Sequence, residues 1–173
     1  MIRTFEAARP KIDAGAFVHD SAELVGAVAV AKGASIWPFC VLRGDVDRIE
    51  IGERSNIQDH TIVHCREGRP AIVGRDVTVG HRVVLHGCLI GDRCLIGMGA
   101  VVMEATVGRE CLVAAGSLVL AGMKIPPKSL VLGSPARVVR RLKPAELAAL
   151  RASAAGYVKL ALRHAKTSTV VFR

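Results

Sequence analysis

Between Ile12 and Ile125 an aliphatic residue returns in sets of three: Ile12, Val18, Leu24; Val30, Ile36, Leu42; Ile51, Ile57, Val63; Val73, Val79, Leu85; Ile90, Ile96, Val102; Val107, Val113, Val119. Within each set the interval is six. Between sets it is six at first, then nine, ten, five and five, and six again on reaching Ile125. Every irregular interval therefore follows the third member of a set, so insertions and deletions collect on one corner. A helix of 3.6 residues per turn does not generate this pattern. Longer runs of period-two alternation, the mark of a sandwich of short strands, are not found. The pattern predicts a three-sided parallel β-helix of hexapeptide repeats, in which each leading aliphatic residue points inward and stacks on its equivalent one coil later. Gly52, Gly74, Gly80, Gly91, Gly97 and Gly108 each follow a leader directly, where a turning backbone benefits from lacking a Cβ.

The ends read differently. Residues 1–11 form a polar lead-in closed by Pro10, and PPKSLVLGSPARVVRRLKP reads as a proline-punctuated strap leaving the solenoid. Pro144 is placed for the first turn of a helix. Leu147, Leu150, Ala154, Tyr157 or Val158, and Ala161 then recur at helical spacing, which predicts an amphipathic helix over about 144–165 lying along the solenoid. The division expected is a β-helix domain over 1–143, lead-in and strap included, and a helix with a short tail over 144–173.

Composition narrows this picture. Hydrophobic residues make up 51% of the chain and aromatics only 3%, so the interior must be filled by Val, Ile, Leu and Ala, as a narrow repetitive core requires. Five cysteines, an odd number with no CxxC pair, argue against a disulfide framework and a thiolate zinc site. Cys40, Cys94 and Cys111 each fall four residues after a leader and read as core fillers; Cys65 and Cys88, next to histidines, read the same way. The net charge is +9, but residues 137–173 hold nine bases against the single acid Glu146, so +8 of it belongs to the C-terminal region. With one Trp and one Tyr there is no aromatic interleaving for stacking on bases, and a solvated helix face is expected rather than nucleic-acid binding. No apolar run reaches a membrane span and the N-terminus lacks a signal-peptide core, which predicts a cytoplasmic protein without membrane contact.

Aligned by coil, the residue after the third leader is Arg43, then His64, then His86. Strands in adjacent coils lie about 4.8 Å apart, so the two imidazoles stand one above the other and can converge on an ion. The four-residue excess between those coils, a loop within Cys65–Pro70, leaves their register intact. Two residues after the second leader, Asp59 is followed one coil later by His81, and Gln58 stands beside Asp59. His81 and His86 lie on different sides, five residues apart. At about 3.3 Å per residue they are too far apart for one ion. Under threefold association, the His64/His86 face of one chain would meet the His81 face of its neighbour in three identical interfaces. Three neutral imidazoles would leave a metal its full charge and an open position, which is catalytic ligation and activates water near neutral pH. The plain alternative is that these are exposed polar residues, which fits one histidine better than two in register. His19, His60 and His164 match no column and read as surface residues.

The stretches SIWPFCVLRGDVDRIEIG, NIQDHTIVH, VTVGHRVVLHGCLIGDRCLIGMGAVV and VAAGSLVLAG with IPPKSLVLGSPARVVRRL resemble the γ-class carbonic anhydrase family, from about residue 10 to 142, with the helix to about 165 similar too. The resemblance implies a left-handed parallel β-helix, an exception to the right-handed crossover rule, assembled as a homotrimer that interconverts carbon dioxide and bicarbonate. It implies zinc, with iron or cobalt in some members, bound by His64 and His86 of one chain and His81 of the next. Zinc-bound water in carbonic anhydrases is the standard illustration of the activation described above. Arg43 and Asp45 resemble the pair that ties subunits together beside the metal. Gln58 and Asp59 resemble residues that bond the reacting oxygen or position carbon dioxide, and Tyr157 can reach the site from the helix or serve in packing. One departure stands out: the best-characterised members carry a glutamate where this chain has Val46, and another on an acidic loop that is here the short CREGRP, whose only acid is Glu67. Proton release then falls to water and buffer, and activity is expected to be modest.

Two other classes fit the same repeats. Hexapeptide-repeat acyltransferases and CoA-thioester hydrolases need one histidine as a general base and no cluster of three, so acetyl-CoA turnover insensitive to chelator would mark them. A non-catalytic trimer in which metal only staples subunits would bind the ion and hydrate nothing.

Overall fold

The computed structural model describes residues 1–169; the last four residues of the expected tail, 170–173, lie outside them. The three aliphatic columns form as read. Val18, Ile36, Ile57, Val79, Ile96, Val113 and Val131 are register partners through seven coils. Leu24, Leu42, Val63, Leu85, Val102 and Val119 form the third column, and Ile12, Val30, Ile51, Val73, Ile90, Val107 and Ile125 the first. Between strands the pairing is parallel except where Ala136–Arg141 folds back on Ser129–Gly133, and the leaders from Leu24 onward are 0–3% exposed. Each such side chain removed from water contributes about 1.5–3 kcal/mol, so the repeat itself is the main source of stability. All five cysteines are free and buried, as core fillers.

The first and third faces belong to one twelve-stranded sheet because Glu23–Val30 and Val41–Ile51 run unbroken around the corner between them. The second face is a separate eight-stranded sheet. The loop after His64 closes as a tight turn between Arg66 and Arg69, with Gly68 at φ 69°.

Three readings of the sequence need correction. The lead-in is part of the solenoid: Ile2 pairs with Leu24 and Lys11–Ile12 with Ala29–Val30, so residues 2–12 make a partial coil. The strap does not leave either. Ser129–Gly133 pairs with Leu112–Val113 as one more coil, and Ala136–Arg141 folds back antiparallel on it. The glycines after leaders do not have positive φ, and the left-handed turn positions lie three residues after a leader, at Arg54, His60, Asp76, Arg82 and Arg93 and at other glycines such as Gly99 and Gly116. What requires glycine is the coil above: a Cβ at Gly97 would sit 2.4 Å from the Ala115 backbone nitrogen, and one at Gly52 2.4 Å from the Gly74 carbonyl oxygen.

The helix spans Pro144–Thr167 and buries Leu150, Ala154 and Ala161 against the second face. The Glu146 carboxylate accepts from the Lys143 backbone N–H at 2.6 Å, closing its first turn. The helix also reaches Glu110, a carboxylate 7% exposed that takes Arg93 at 3.2 Å, Arg151 of the helix at 3.1 Å and Lys128 at 3.8 Å. No helix among the described residues is long and apolar enough to cross a membrane.

Candidate metal centre

Each face of the solenoid has a different exterior. The second is covered over its first coils by the helix, which explains why Asn56, Gln58 and Thr78 are buried there although polar. Among the described residues the third carries no helix, and its outward positions are mostly aliphatic: Val41, Ile62, Val84, Val101 and Leu118, with Ile62 46% exposed. Next to that stripe run Arg43, His64, His86 and Met103, register partners in consecutive coils. The His64 and His86 rings lie 5.3 Å apart, centroid to centroid, close enough for both to turn a nitrogen toward one ion.

Asp45 sits at this end of the stack. Its Oδ1 is 3.1 Å from His64 Nε2, and its Oδ2 accepts from Arg43 Nη1. Burial alone would raise the Asp45 pKa, but the bonds from Arg43 and His64 outweigh it and hold the carboxyl below its ordinary value. An ionised carboxylate only accepts, so His64 donates through Nε2. Asp45 and a cation are thus competitors for the same nitrogen.

His81 occupies the turn between Thr78–Val79 and Val84–His86, on the corner shared by the second and third faces. Its Nδ1 lies 2.8 Å from Asp59 Oδ2. That contact requires an N–H on Nδ1 and leaves Nε2 bare in the neutral ring, the arrangement of a carboxylate-oriented metal ligand. His81 also borders a cleft of about 480 Å³ with Gln58, Met98, Ser153 and Tyr157. The Tyr157 ring meets Trp37 edge-on at 5.6 Å. Burial, and then the charge of Asp59, raise the Tyr157 pKa above its ordinary value, so its hydroxyl stays protonated.

In one chain the expected ligands remain divided as the columns imply, two on the third face and one at the corner. Among the described residues no three His, Cys, Asp or Glu side chains converge enough to hold an ion. Glu67 lies exposed on the short loop and Val46 is 52% exposed on the bent strand. Of the other histidines, only His60 is an exposed residue, stacked on Phe39 at 5.1 Å. His164 instead packs edge-on against Trp37 at 5.0 Å, and His19 bonds Ser21 at 2.8 Å. Both are half-buried, and for His164 sequence spacing could not show this because its contact crosses from helix to solenoid.

Two solenoid residues at the site escaped the reading of the sequence, Asn56 and Thr78, as did Ser153 of the helix. For Asn56 and Thr78 the signal was present: each directly precedes a second-column leader, and they are register partners.

Coil geometry and repeat chemistry together define a hexapeptide-repeat β-solenoid protein. Residues 70–104 match the model for bacterial transferase hexapeptide (six repeats), and 89–121 that for the hexapeptide repeat of succinyl-transferase. A probable carbonic anhydrase of Methanocaldococcus jannaschii is 50% identical over 83% of this chain and 91% of its own length. Protein YrdA of Escherichia coli is 42% identical over 92% of this chain and 91% of its own. Mitochondrial gamma carbonic anhydrase 2 of Arabidopsis thaliana is 41% identical over 94% of this chain, which spans 61% of that longer protein. A solved hexapeptide transferase family protein from Anaplasma phagocytophilum superposes with TM-score 0.90 at 38% identity, over 93% of this chain and 96% of its own. The chain belongs to the γ-class carbonic anhydrase family.

Proposed function

We propose that this chain is a metal-dependent hydratase that interconverts carbon dioxide and bicarbonate at three sites between the protomers of a cyclic homotrimer. Each site takes His64 and His86 from one protomer and His81 from the next. The observation that carries the reading is the pairing of an in-register imidazole stack with an uncovered aliphatic face, while the matching third imidazole is held outward at a corner by Asp59. Such a face resembles the apolar core of an interface, and docking it on the His81 corner of an identical chain is a heterologous contact that closes as a ring. The donor set is all imidazole and fits zinc, with iron or cobalt as alternatives.

The chemistry the ion supplies when bound is the activation of water near neutral pH. The chain's own residues do the rest. Asp59 fixes the tautomer and direction of His81. Arg43 and Asp45 form an ion pair beside the seam, and Asp45 gives up His64 Nε2 when that nitrogen takes an ion. Gln58 and the neutral Tyr157 hydroxyl line the cleft, offering an amide and a proton donor to substrate oxygens. No acid stands in the place of Val46, and among the described residues Glu67 is exposed on its turn without a hydrogen bond to any site residue, so the released proton passes to water and buffer.

Metal analysis and stopped-flow hydration in graded buffer test this. Wild type should carry stoichiometric metal and a buffer-dependent rate, and His81→Ala should lose both. Metal-free wild type, or equal rates in the two proteins, overturns the proposal. Acetyl-CoA turnover untouched by chelator would favour the acyl-transfer chemistry suggested by the name of the Anaplasma structure. Bound metal without hydration in concentrated buffer would leave a stapled trimer.

A further inference from the structure

We propose that Thr78 and Ser153 are positioning residues that, together with the Val77 carbonyl, hold Gln58 with its carbonyl toward the cleft, so that the C-terminal helix supports the orientation of the site's amide. This rests on the hydratase reading for its consequence, but on the chain's own hydrogen bonds for its geometry.

The chain of contacts starts at a backbone carbonyl. Asn56 Nδ2 lies 3.3 Å from Val77 O and 3.1 Å from Thr78 Oγ1. A carbonyl oxygen only accepts, so the amide NH₂ of Asn56 must face Val77, and its Oδ1 faces the other way. That oxygen is 3.0 Å from Gln58 Nε2. Since Oδ1 also only accepts, the NH₂ of Gln58 must point to Asn56, and its Oε1 is left toward the cleft that Gln58 lines. Thr78 Oγ1 accepts from Asn56 and stands 3.1 Å from Ser153 Oγ on the helix, a bond in which either hydroxyl can donate. The NH₂ groups of Gln58 and Asn56 are therefore both engaged within the series, on Asn56 Oδ1 and Val77 O, rather than turned to the cleft. Asn56, Gln58 and Thr78 are 0–4% exposed, and in such surroundings polarised hydrogen bonds reinforce one another. Gln58 accordingly offers the site an acceptor, suited to an oxygen that carries a proton, as bicarbonate does.

The helix contributes Ser153 and Tyr157 one turn apart to the same cleft. A shift of the helix would thus move a proton donor and release an acceptor together. No imidazole takes part in this series, so it is separable from metal binding.

Thr78→Val removes the hydroxyl while keeping the β-branched shape that suits a strand. Ser153→Ala removes the far partner on a partly exposed helix position and serves if the first variant fails to fold. Two readouts are made on metal-replete protein whose metal content and melting temperature match wild type. The first is hydrogen exchange of the Gln58 side-chain amide by NMR, which does not depend on turnover. Loss of one buried bond should speed it about tenfold in Thr78→Val, with Thr78→Ser restoring the slow rate. The second is hydration kinetics: kcat should fall about tenfold with KM nearly unchanged, since the lost orientation matters in the transition state. Unaltered exchange and kcat in Thr78→Val, or a Thr78→Ser variant as impaired as Thr78→Val, overturns the inference. A wild type that hydrates no carbon dioxide would sink the functional reading, while the exchange experiment would still decide the role of Thr78.

Discussion

Glu110 offers the sharpest test of how the helix is held on the solenoid. It is buried at a turn of the sixth coil, with Arg93 from the coil before, Lys128 from the coil after and Arg151 from the helix around it. Glu110→Gln keeps the shape and removes the charge. Charge-assisted bonds are worth about 1.5–3 kcal/mol each. The three cations are 34%, 45% and 63% exposed, however, and regain water when released. After that discount the whole cluster should contribute about 2 kcal/mol, which in a domain of this size is about 4–8 °C in melting temperature. The exposed pair Glu53–Arg54, 3.2 Å apart with both side chains nearly half exposed, is the control: Glu53→Gln should cost less than about 0.5 kcal/mol.

The pH dependence has a defined sign. Burial alone would raise the Glu110 pKa, but bonds from Arg151 and Arg93 outweigh it and hold it below its ordinary 4.5. Stabilisation is then complete above the unfolded-state value and disappears as pH falls through the lower folded one. Thermal unfolding at matched protomer concentration, repeated from neutral pH into acid, should show wild type well above Glu110→Gln at neutrality and the two converging in acid. A Glu110→Gln melting point no lower than that of Glu53→Gln, or a gap that persists in acid, would refute the reasoning.

Gly97→Ala should cost more than about 3 kcal/mol, because the new methyl meets the next coil's backbone and neither side can yield. Gly116→Ala, which meets nothing within 4 Å but has φ +66°, should cost only about 1 kcal/mol; denaturant titration of both separates crowding from backbone strain. Tyr157→Phe keeps the ring on Trp37, so its melting temperature should stay put while stopped-flow kcat falls about tenfold for one lost hydrogen bond. An unchanged kcat would assign Tyr157 to packing alone.

The solenoid was legible because its information is a spacing. A leader every six residues states which side chain stacks on which, and irregular intervals confined to one corner preserve that statement, as the register of His64 on His86 shows. Where the spacing was overlooked, the reading went astray. Val131 follows Ile125 by six and continues the second column, but the surrounding prolines suggested an exit. Ile2 stands alone before a long gap, so its pairing with Leu24 could not be read from periodicity. Contacts between helix and solenoid were beyond reach for a different reason. Arg151 with Glu110, Ser153 with Thr78 and His164 with Trp37 join residues 41, 75 and 127 positions apart, and their meeting depends on how the helix lies along the second face. The glycines were placed correctly for the wrong reason: close stacking of coils, rather than turn geometry, demands them.

Subunit complementation tests the central claim most directly. His81→Ala and His64→Ala homotrimers should each lack metal and hydratase activity, since every seam loses a ligand. When the two variants are unfolded, mixed in equal amounts and reassembled with zinc, a seam is intact only where the first protomer supplies His64 and His86 and the next supplies His81. Random assembly places such a pair at about a quarter of the seams, so metal and activity should recover to about a quarter of wild type. Mixed trimers that stay empty and inactive while refolded wild type recovers, or single variants that keep full metal, would contradict a site shared between protomers.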